Sequence, residues 1–393
     1  MIIGIDASRA NEAQKTGVGN YAYFLIEQLK RLKIKDLRFV LYVREPLMGE
    51  LADLPENWTV KVLGWAPPFG FAQGKMRLWT QVRLSWEMLW HAPDVLFIPA
   101  HVFPIIHPKK TVMTIHDVAA LKFPKSYNWF ERWYSVWSAR YALKHLWKVI
   151  VPSESVRHEL ASVQVCKCAS EKVVVVRHGY DERYKIETKT EIEDLVLRKY
   201  NIKKPYLLSI GRLEEKKNTV RIIEAFEKVR LQLTTYNLQL VLVGKPGYGY
   251  EKVKEAIDAS QFKSDIITPG WVSDEDLPAL MRGASVFVFP SLAEGFGIPV
   301  LEAMAAGVPV VASRASASLS MTASQEVGGD ACVYVDPMSV EEIAEAIVKV
   351  LENEDCLPAG EAGRLKIIEK GRERVKEFSW EKCAEETMSC LMS

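Results

Sequence analysis

The 393-residue chain predicts an α/β protein built from two doubly wound, Rossmann-like domains facing across a cleft. Three observations predict this. Short apolar runs alternate with helical patterns from end to end, the mark of parallel sheets with helices on both faces. A charged, irregular stretch at 181–200 separates two such alternating halves. The length also exceeds what a single core usually serves.

In the first half the pattern predicts a strand at 1–6, a Gly17-Val18-Gly19 loop and an amphipathic helix at 21–32. Strands follow at 39–43 and 59–63, a helix at 75–90, and strands at 95–98 and 111–115. A long helix at 129–146, a strand at 148–151, a helix at 154–162 with Ser153 as its N-cap, and a strand at 173–176 complete it. The second half predicts strands at 206–210, 239–243, 266–268 and 286–289, with helices at 219–233 and 250–259 between them. Asn218 is placed to cap the first of those helices, and Asp274 and Asp276 to cap a short one at 275–281. A helix that starts near Pro299 stops at Gly307, the expected polarity of proline in a first turn and glycine just past a last one. A strand at 308–311 and helices at 340–351, 364–377 and 380–392 finish the chain.

The charges nearly cancel, 51 Lys and Arg against 50 Asp and Glu, which argues against a general nucleic-acid binder. The first residues lead straight into a strand, and no run reaches the uncharged length of a membrane span, so the expectation is a cytoplasmic protein. The six cysteines are scattered, apart from a C-x-C pair at Cys166 and Cys168, and read as reduced thiols. Between residues 70 and 160 the balance shifts to 12 Lys and Arg against 6 Asp and Glu, with six of the seven histidines. Trp79, Trp86, Trp90, Trp129, Trp133, Trp137 and Trp147 crowd the same stretch. Helix core is the plain expectation for most of these rings. The sharper one is a basic, aromatic surface against an anionic lipid interface, with Arg77, Arg83, Arg132, Arg140, Lys144 and Lys148 as its charges.

The stretch 285–311, SVFVFPSLAEGFGIPVLEAMAAGVPVV, is the most informative. A buried-type strand ends in a loop of small residues that opens onto a helix N-terminus, whose unpaired N–H groups and positive dipole end suit a phosphate. Glu294 in the loop and Glu302 in the helix repel phosphate, so they are expected to face hydroxyl groups. Phosphate and hydroxyls together describe a sugar nucleotide. The loop Gly211-Arg212-Leu-Glu-Glu-Lys-Lys217-Asn218 also follows a strand, and its Arg212 and Lys217 can neutralise a diphosphate leaving group, one as a fork and the other as a point charge. His116-Asp117, after the strand at 111–115, suits contact with sugar hydroxyls or an acceptor, against the alternative of a satisfied structural histidine. The G-x-G at Gly17 and Gly19 lacks the third glycine and tight spacing of a dinucleotide turn, so NAD is rejected and a backbone approach to phosphate or sugar is kept. No metal signature stands out, and the leaving-group charge is expected to fall on Arg212, Lys217 and the helix dipole without magnesium.

These residues resemble the retaining glycosyltransferases of family 4, which have the GT-B fold. The likeness runs through TGVGNY (16–21), IPAH (98–101), TIHDVAALKFP (114–124), VPSESVRHEL (151–160), VVVVRHGYD (173–181), SIGRLEEKKN (209–218), LVLVGKPGYGY (240–250), GWVSDEDLPAL (270–280) and EGFGIPVLEAMAAGVPVVAS (294–313). Within the family it is most similar to bacterial mannosyltransferases that build surface polysaccharides from GDP-mannose. The resemblance implies an acceptor-binding domain at 1–185, a nucleotide-sugar domain at 200–377, and a last segment, 378–393, that crosses back onto the first. It implies that Glu294 binds donor-sugar hydroxyls, Glu302 holds the ribose, and Arg212 and Lys217 contact the diphosphate beside Gly211. The amides of Phe296, Gly297 and Ile298 complete the phosphate cradle, His116 lies beside the sugar, Gly19 beside the phosphates, and Val272 at the base. The implied donor is a nucleoside-diphosphate sugar, with no further cofactor. The implied acceptor is a glycan or lipid-linked glycan, and the implied place is the cytoplasm, at the inner face of a membrane. A UDP-glucose or UDP-N-acetylglucosamine donor and a GT-B sugar-nucleotide epimerase are the alternatives. One departure stands out: relatives read Asn and Pro where this chain has Arg314 and Gln325, which puts acceptor or base contacts from that loop in question.

Overall fold

The structure, a computed structural model, describes residues 1–32, 34, 36–64, 79–127, 129–162, 170–186, 190–235, 237–315, 321–352 and 363–393. The arginine at 77, the cysteine pair at 166 and 168 and most of the 314–320 departure lie outside these residues. The chain forms two compact units, Met1–Leu121 with Trp129–Gly179 and Ser379–Ser393, and Lys122–Asn128 with Tyr180–Phe378.

In chain order the first half runs β1 (Ile2–Asp6), α1 (Gly17–Arg31), β2 (Arg38–Val43), β3 (Trp58–Val62), α2 (Ser85–His91), β4 (Val95–Ile98), β5 (Thr111–Thr114), α3 (Ala119–Lys122), α4 (Trp129–His145), β6 (Lys148–Val151), α5 (Glu154–Ser162) and β7 (Val173–Val175). The second half runs α6 (Thr190–Lys199), β8 (Tyr206–Ile210), α7 (Thr219–Gln232), β9 (Gln239–Val243), α8 (Tyr250–Ala259), β10 (Ile266–Gly270), α9 (Leu277–Gly283), β11 (Val286–Phe289), α10 (Ile298–Ala305), β12 (Val310–Ser313), α11 (Ala323–Gly328), β13 (Val333–Val335), α12 (Val340–Leu351), α13 (Gly363–Arg374) and α14 (Trp380–Met392).

Among the described residues the first unit carries a seven-stranded sheet ordered β3-β2-β1-β4-β5-β6-β7 and the second a six-stranded sheet ordered β10-β9-β8-β11-β12-β13. Neighbouring strands run parallel in both. Each sheet starts in its middle and winds outward in both directions. The order therefore reverses beside β1 in one unit and beside β8 in the other, and open α/β sheets bind ligands at the carboxyl ends of strands flanking such a point.

The second sheet shows why its strands read as unbroken apolar runs. Along β11, Val286 and Val288 join the core under α7, α8 and α12, while Phe287 and Phe289 join the core under α9 and α10. Leu240 and Val241 of β9 part in the same way. A strand covered on both faces has no polar side to show, and each such side chain contributes roughly 1.5–3 kcal/mol by leaving water.

Several local expectations are corrected. The Gly17-Val18-Gly19 segment is the first turn of α1, not a loop. Asn218 does not cap α7 through its side chain; it holds a left-handed backbone, φ 61°. Asp276 precedes α9 but makes no cap bond, accepting instead from Lys199 Nζ at 2.6 Å and the Tyr200 hydroxyl at 2.7 Å. The strand expected at 308–311 lies at Val310–Ser313, and the helix expected through 377 ends at Arg374. Ser153 does act as an N-cap, accepting from the Val156 amide at 3.2 Å. α14 packs on α1, with the Trp380 ring stacked on Phe24 at 5.5 Å and 13°. The boundary between the units falls at Gly179–Tyr180, so Tyr184 lies in the second unit and is buried in its core. Among the described residues, no helix is long and apolar enough to cross a membrane.

Candidate active site in the second unit

The loops after β8 and β11 meet where the second sheet reverses, and they are stitched together by side chains. Asn218 Nδ2 donates to the Pro290 carbonyl at 3.0 Å and to the Pro337 carbonyl at 2.6 Å. The Ser291 hydroxyl donates to the Lys216 carbonyl at 3.0 Å, and the Leu292 amide donates to the same oxygen at 2.8 Å. The Ser313 hydroxyl, at the end of β12, donates to the Ser291 carbonyl at 2.5 Å. The β8 loop also lies flat along the loop after β9. A Cβ on Gly244 would stand 1.8 Å from the Gly211 carbonyl oxygen, so only glycine allows that approach.

The stitching has one main consequence: Lys217 Nζ donates to Glu294 Oε1, and both side chains are largely buried. The cation of the first loop and the carboxylate of the second therefore form one ion pair, although 77 residues separate them. The ammonium also sits 5.1 Å from the centre of the Phe289 ring. Arg212, at the head of the same loop, is exposed. Gly297, at φ 104°, turns the chain into α10, a conformation that L side chains rarely adopt. Ile298 and Pro299 open the helix, and no side chain caps it. Phe296 is committed to the core, its ring edge-on to Phe378 at 5.9 Å. Val272 is buried in the same core, which leaves its backbone for any ligand contact.

Glu302, one turn into α10, has company that the sequence did not announce. The Tyr184 hydroxyl hydrogen-bonds it, and the carboxylates of Asp181 and Asp274 lie close enough to act on it. Burial, reinforced by those two charges, pushes the Glu302 carboxyl up to about 8, against the pull of Tyr184 and Arg183. Asp181 is itself pinned, accepting from the Arg183 amide at 2.9 Å and from Arg183 Nε at 2.8 Å. In the sequence Asp181 ends VVVVRHGYD, in a stretch that reads as linker, and Asp274 reads as a helix cap, so neither points to Glu302.

The first unit holds the other candidates. Gly17 and Gly19 lie in the first turn of α1, and a Cβ on Gly19 would press to 3.0 Å on the Arg9 carbonyl. His116 Nε2 lies 3.0 Å from the Pro99 carbonyl. A carbonyl only accepts, so Nε2 carries the proton and Nδ1 is left as the acceptor. Burial pushes the imidazole down to about 4, so it is neutral at physiological pH. Its ring stands edge-on to Tyr21 at 4.7 Å and 5.6 Å from His178. Asp117 accepts from the Ala119 amide at 3.0 Å, a local bond at the start of α3. The departures near 314 also have local work: Arg314 forks onto Glu342 at 2.6 and 3.0 Å, and Gln325 completes a capping box with Thr322.

Known sequences identify the two halves. Residues 194–374 match the family described as glycosyl transferases group 1, and residues 15–184 match glycosyltransferase family 4. The chain belongs to the glycosyltransferases. O-antigen chain mannosyltransferase B of Escherichia coli is 26% identical over 388 residues, covering 95% of each chain. Among solved structures, sucrose-phosphate synthase from Thermosynechococcus elongatus aligns with a TM-score of 0.74 at 18% identity, over 99% of this chain and 98% of that one. HepE from Anabaena, in complex with UDP and glucose, aligns with a TM-score of 0.70 at 17% identity, over 100% and 99%. These likenesses carry the GT-B fold, and the loops after β8 and β11 belong to a glycosyltransferase.

Proposed function

We propose that this glycosyltransferase moves mannose from GDP-mannose, with retention and without a metal, to a glycan or lipid-linked glycan acceptor in cell-surface polysaccharide synthesis. The observation that carries the reading is the Lys217–Glu294 pair beside the open N-terminus of α10. A donor arriving there exchanges that contact for two others. Its diphosphate takes Lys217, Arg212 and the amides of Phe296, Gly297 and Ile298, with Gly211 lining the approach. Its sugar hydroxyls take Glu294. Glu302, deeper in the same loop cluster, holds the ribose, and the backbone at Val272 borders the base. The first unit binds the acceptor; His116, a neutral acceptor of hydroxyl protons, is its candidate for a sugar contact, and Gly17 and Gly19 its candidates for a phosphate contact.

Catalysis rests on charge. As the bond from the anomeric carbon to the phosphate oxygen breaks, negative charge grows on the leaving diphosphate, where Arg212, Lys217 and the α10 dipole already wait. One such preorganised donor is typically worth about 2.7–4 kcal/mol of barrier. The acceptor hydroxyl attacks from the face the phosphate leaves, and that phosphate takes its proton. Mannose as the sugar is supported by the name of the Escherichia coli relative. The competing donor, UDP-glucose, is supported by the UDP and glucose in the Anabaena structure. The protein works in the cytoplasm, at the inner face of the membrane that carries its acceptor.

The deciding experiment incubates the full chain separately with radiolabelled GDP-mannose, UDP-glucose and UDP-N-acetylglucosamine and a mixture of lipid-linked glycans. Label is expected in the acceptor from GDP-mannose alone. Transfer from a UDP-sugar alone overturns the donor, and conversion of the donor without any acceptor overturns transfer in favour of epimerisation.

A further inference from the structure

Five of the seven tryptophans crowded into the first half do not join the core. Trp129 is 79% exposed, Trp90 66%, Trp86 63% and Trp133 53%, and Trp137 is also exposed. In α4 three of them recur every fourth residue, Trp129, Trp133 and Trp137, and so form one stripe; the opposite side, with Ala139, Ala142 and Leu143, is buried. The stripe is an ordered surface. Trp133 and Trp137 stack at 5.9 Å and 10°, and Trp137 stacks on Phe103 at 5.7 Å and 19°. Phe103 is itself buried, and two and three residues further along the segment between β4 and β5 Ile105 and Ile106 are exposed. The Ile106 amide donates to the Ser85 hydroxyl at the start of α2, at 3.2 Å. Ser85 opens α2, which carries exposed Trp86 and Trp90, their rings 6.4 Å apart. Scattered exposed hydrophobics need no explanation, but tryptophans stacked along one helix face, with two more exposed on α2 of the same unit, mark an interaction surface.

The charges around the field decide what covers it. On α4 the tryptophan stripe continues into exposed Arg140 and Lys144, with exposed Arg132 beside it. From residue 79 to residue 148 there are nine Lys and Arg against four Asp and Glu. Of those four, Glu87 is buried and already held by Lys61 at 2.7 Å. Tryptophan prefers the level of the headgroups, where its ring is in hydrocarbon and its N–H is wet. Lysine and arginine stems lie along apolar surface while their heads reach for phosphates. We infer that the α2–α4 face of the first unit docks on an anionic bilayer surface, with the tryptophan field at headgroup depth and Arg132, Arg140 and Lys144 on the lipid phosphates. This deepens the membrane part of the proposed function. The docking is read without donor or acceptor, so its failure leaves sugar transfer standing.

The test sediments the full chain with vesicles of phosphatidylcholine, with and without phosphatidylglycerol, and follows tryptophan quenching by bromine-labelled lipid. Binding and quenching are expected on the anionic vesicles at low salt, fading as salt rises. Each basic residue near such a surface is worth about fivefold in affinity. The triple variant Arg132→Gln, Arg140→Gln, Lys144→Gln should therefore bind about a hundredfold more weakly. The variant Trp129→Ser, Trp133→Ser should lose part of the quenching and bind more weakly while keeping its circular dichroism. No sedimentation with anionic vesicles at low salt overturns the inference. So does undiminished binding by both variants, or a tight dimer, seen by light scattering, that buries the field and ignores lipid.

Discussion

At Glu302 three carboxylates converge and one keeps its proton up to about pH 8. The sign of the consequence follows from linkage. Below the ordinary value of 4.5 the group is protonated in both folded and unfolded chains and contributes nothing. Between 4.5 and about 8 the unfolded chain has lost a proton that the native state retains, so stability from this group falls as pH rises; above that the penalty is constant. Glu302→Gln should flatten this part of the melting temperature profile and leave the variant more stable than the parent at pH 8, as a thermal melt series across that range would show. Superimposable profiles would mean the carboxyl is ionised throughout. Glu294, Glu302, Arg212 and Lys217 stand out because residue type and position beside a strand end already state a chemistry. The neighbours of Glu302 do not, because Asp181, Tyr184 and Asp274 come from distant segments and only packing makes them one corner.

Loops and helix ends tell a different story at the scale of elements. Asn218 before α7 looks like a cap, and a cap needs only local sequence. Its backbone is instead left-handed, and its amide is spent on the carbonyls of Pro290 and Pro337, which ties the β8 loop to the end of β11. An unsatisfied buried polar group costs about 1–3 kcal/mol, and a left-handed backbone disfavours alanine. Asn218→Ala should therefore destabilise the protein by roughly 2–4 kcal/mol in urea unfolding. Asn218→Gly, which keeps the backbone but not the bonds, should fall between the two. If alanine is neutral, the stitching does not position Lys217. Glycines 17 and 19 mislead for the opposite reason: they suggest a loop, yet Gly19 is wanted for its close approach to the Arg9 carbonyl inside a helical turn. A short polar motif states which atoms are available but not which long-range partner claims them.

Across the whole molecule, the central strands are the most legible feature, because a parallel strand buried on both faces shows as an unbroken apolar run, whereas β13, three residues at the edge of its sheet, is too short to show one. The tryptophans are the least legible, since core and surface demands on an aromatic helix leave the same composition. The C-terminal helix shows a third kind of information, topological rather than local. After Phe378 the chain joins the first unit, where Trp380 stacks on Phe24 and lies 5.7 Å from His178. Trp380→Ala should cost about 3–5 kcal/mol, and hydrogen exchange should speed up in α1 while α7 stays protected. Equal loss of protection in both units would show that α14 stabilises the molecule as a whole.

Transfer depends most on the grip of Lys217 and Glu294 on the donor. The most direct measurement is the turnover number of Lys217→Ala at saturating donor and acceptor, on protein whose melting temperature and circular dichroism match the parent. A fall of about 10²–10³-fold is expected. Turnover within a few fold of the parent would place the leaving group somewhere else.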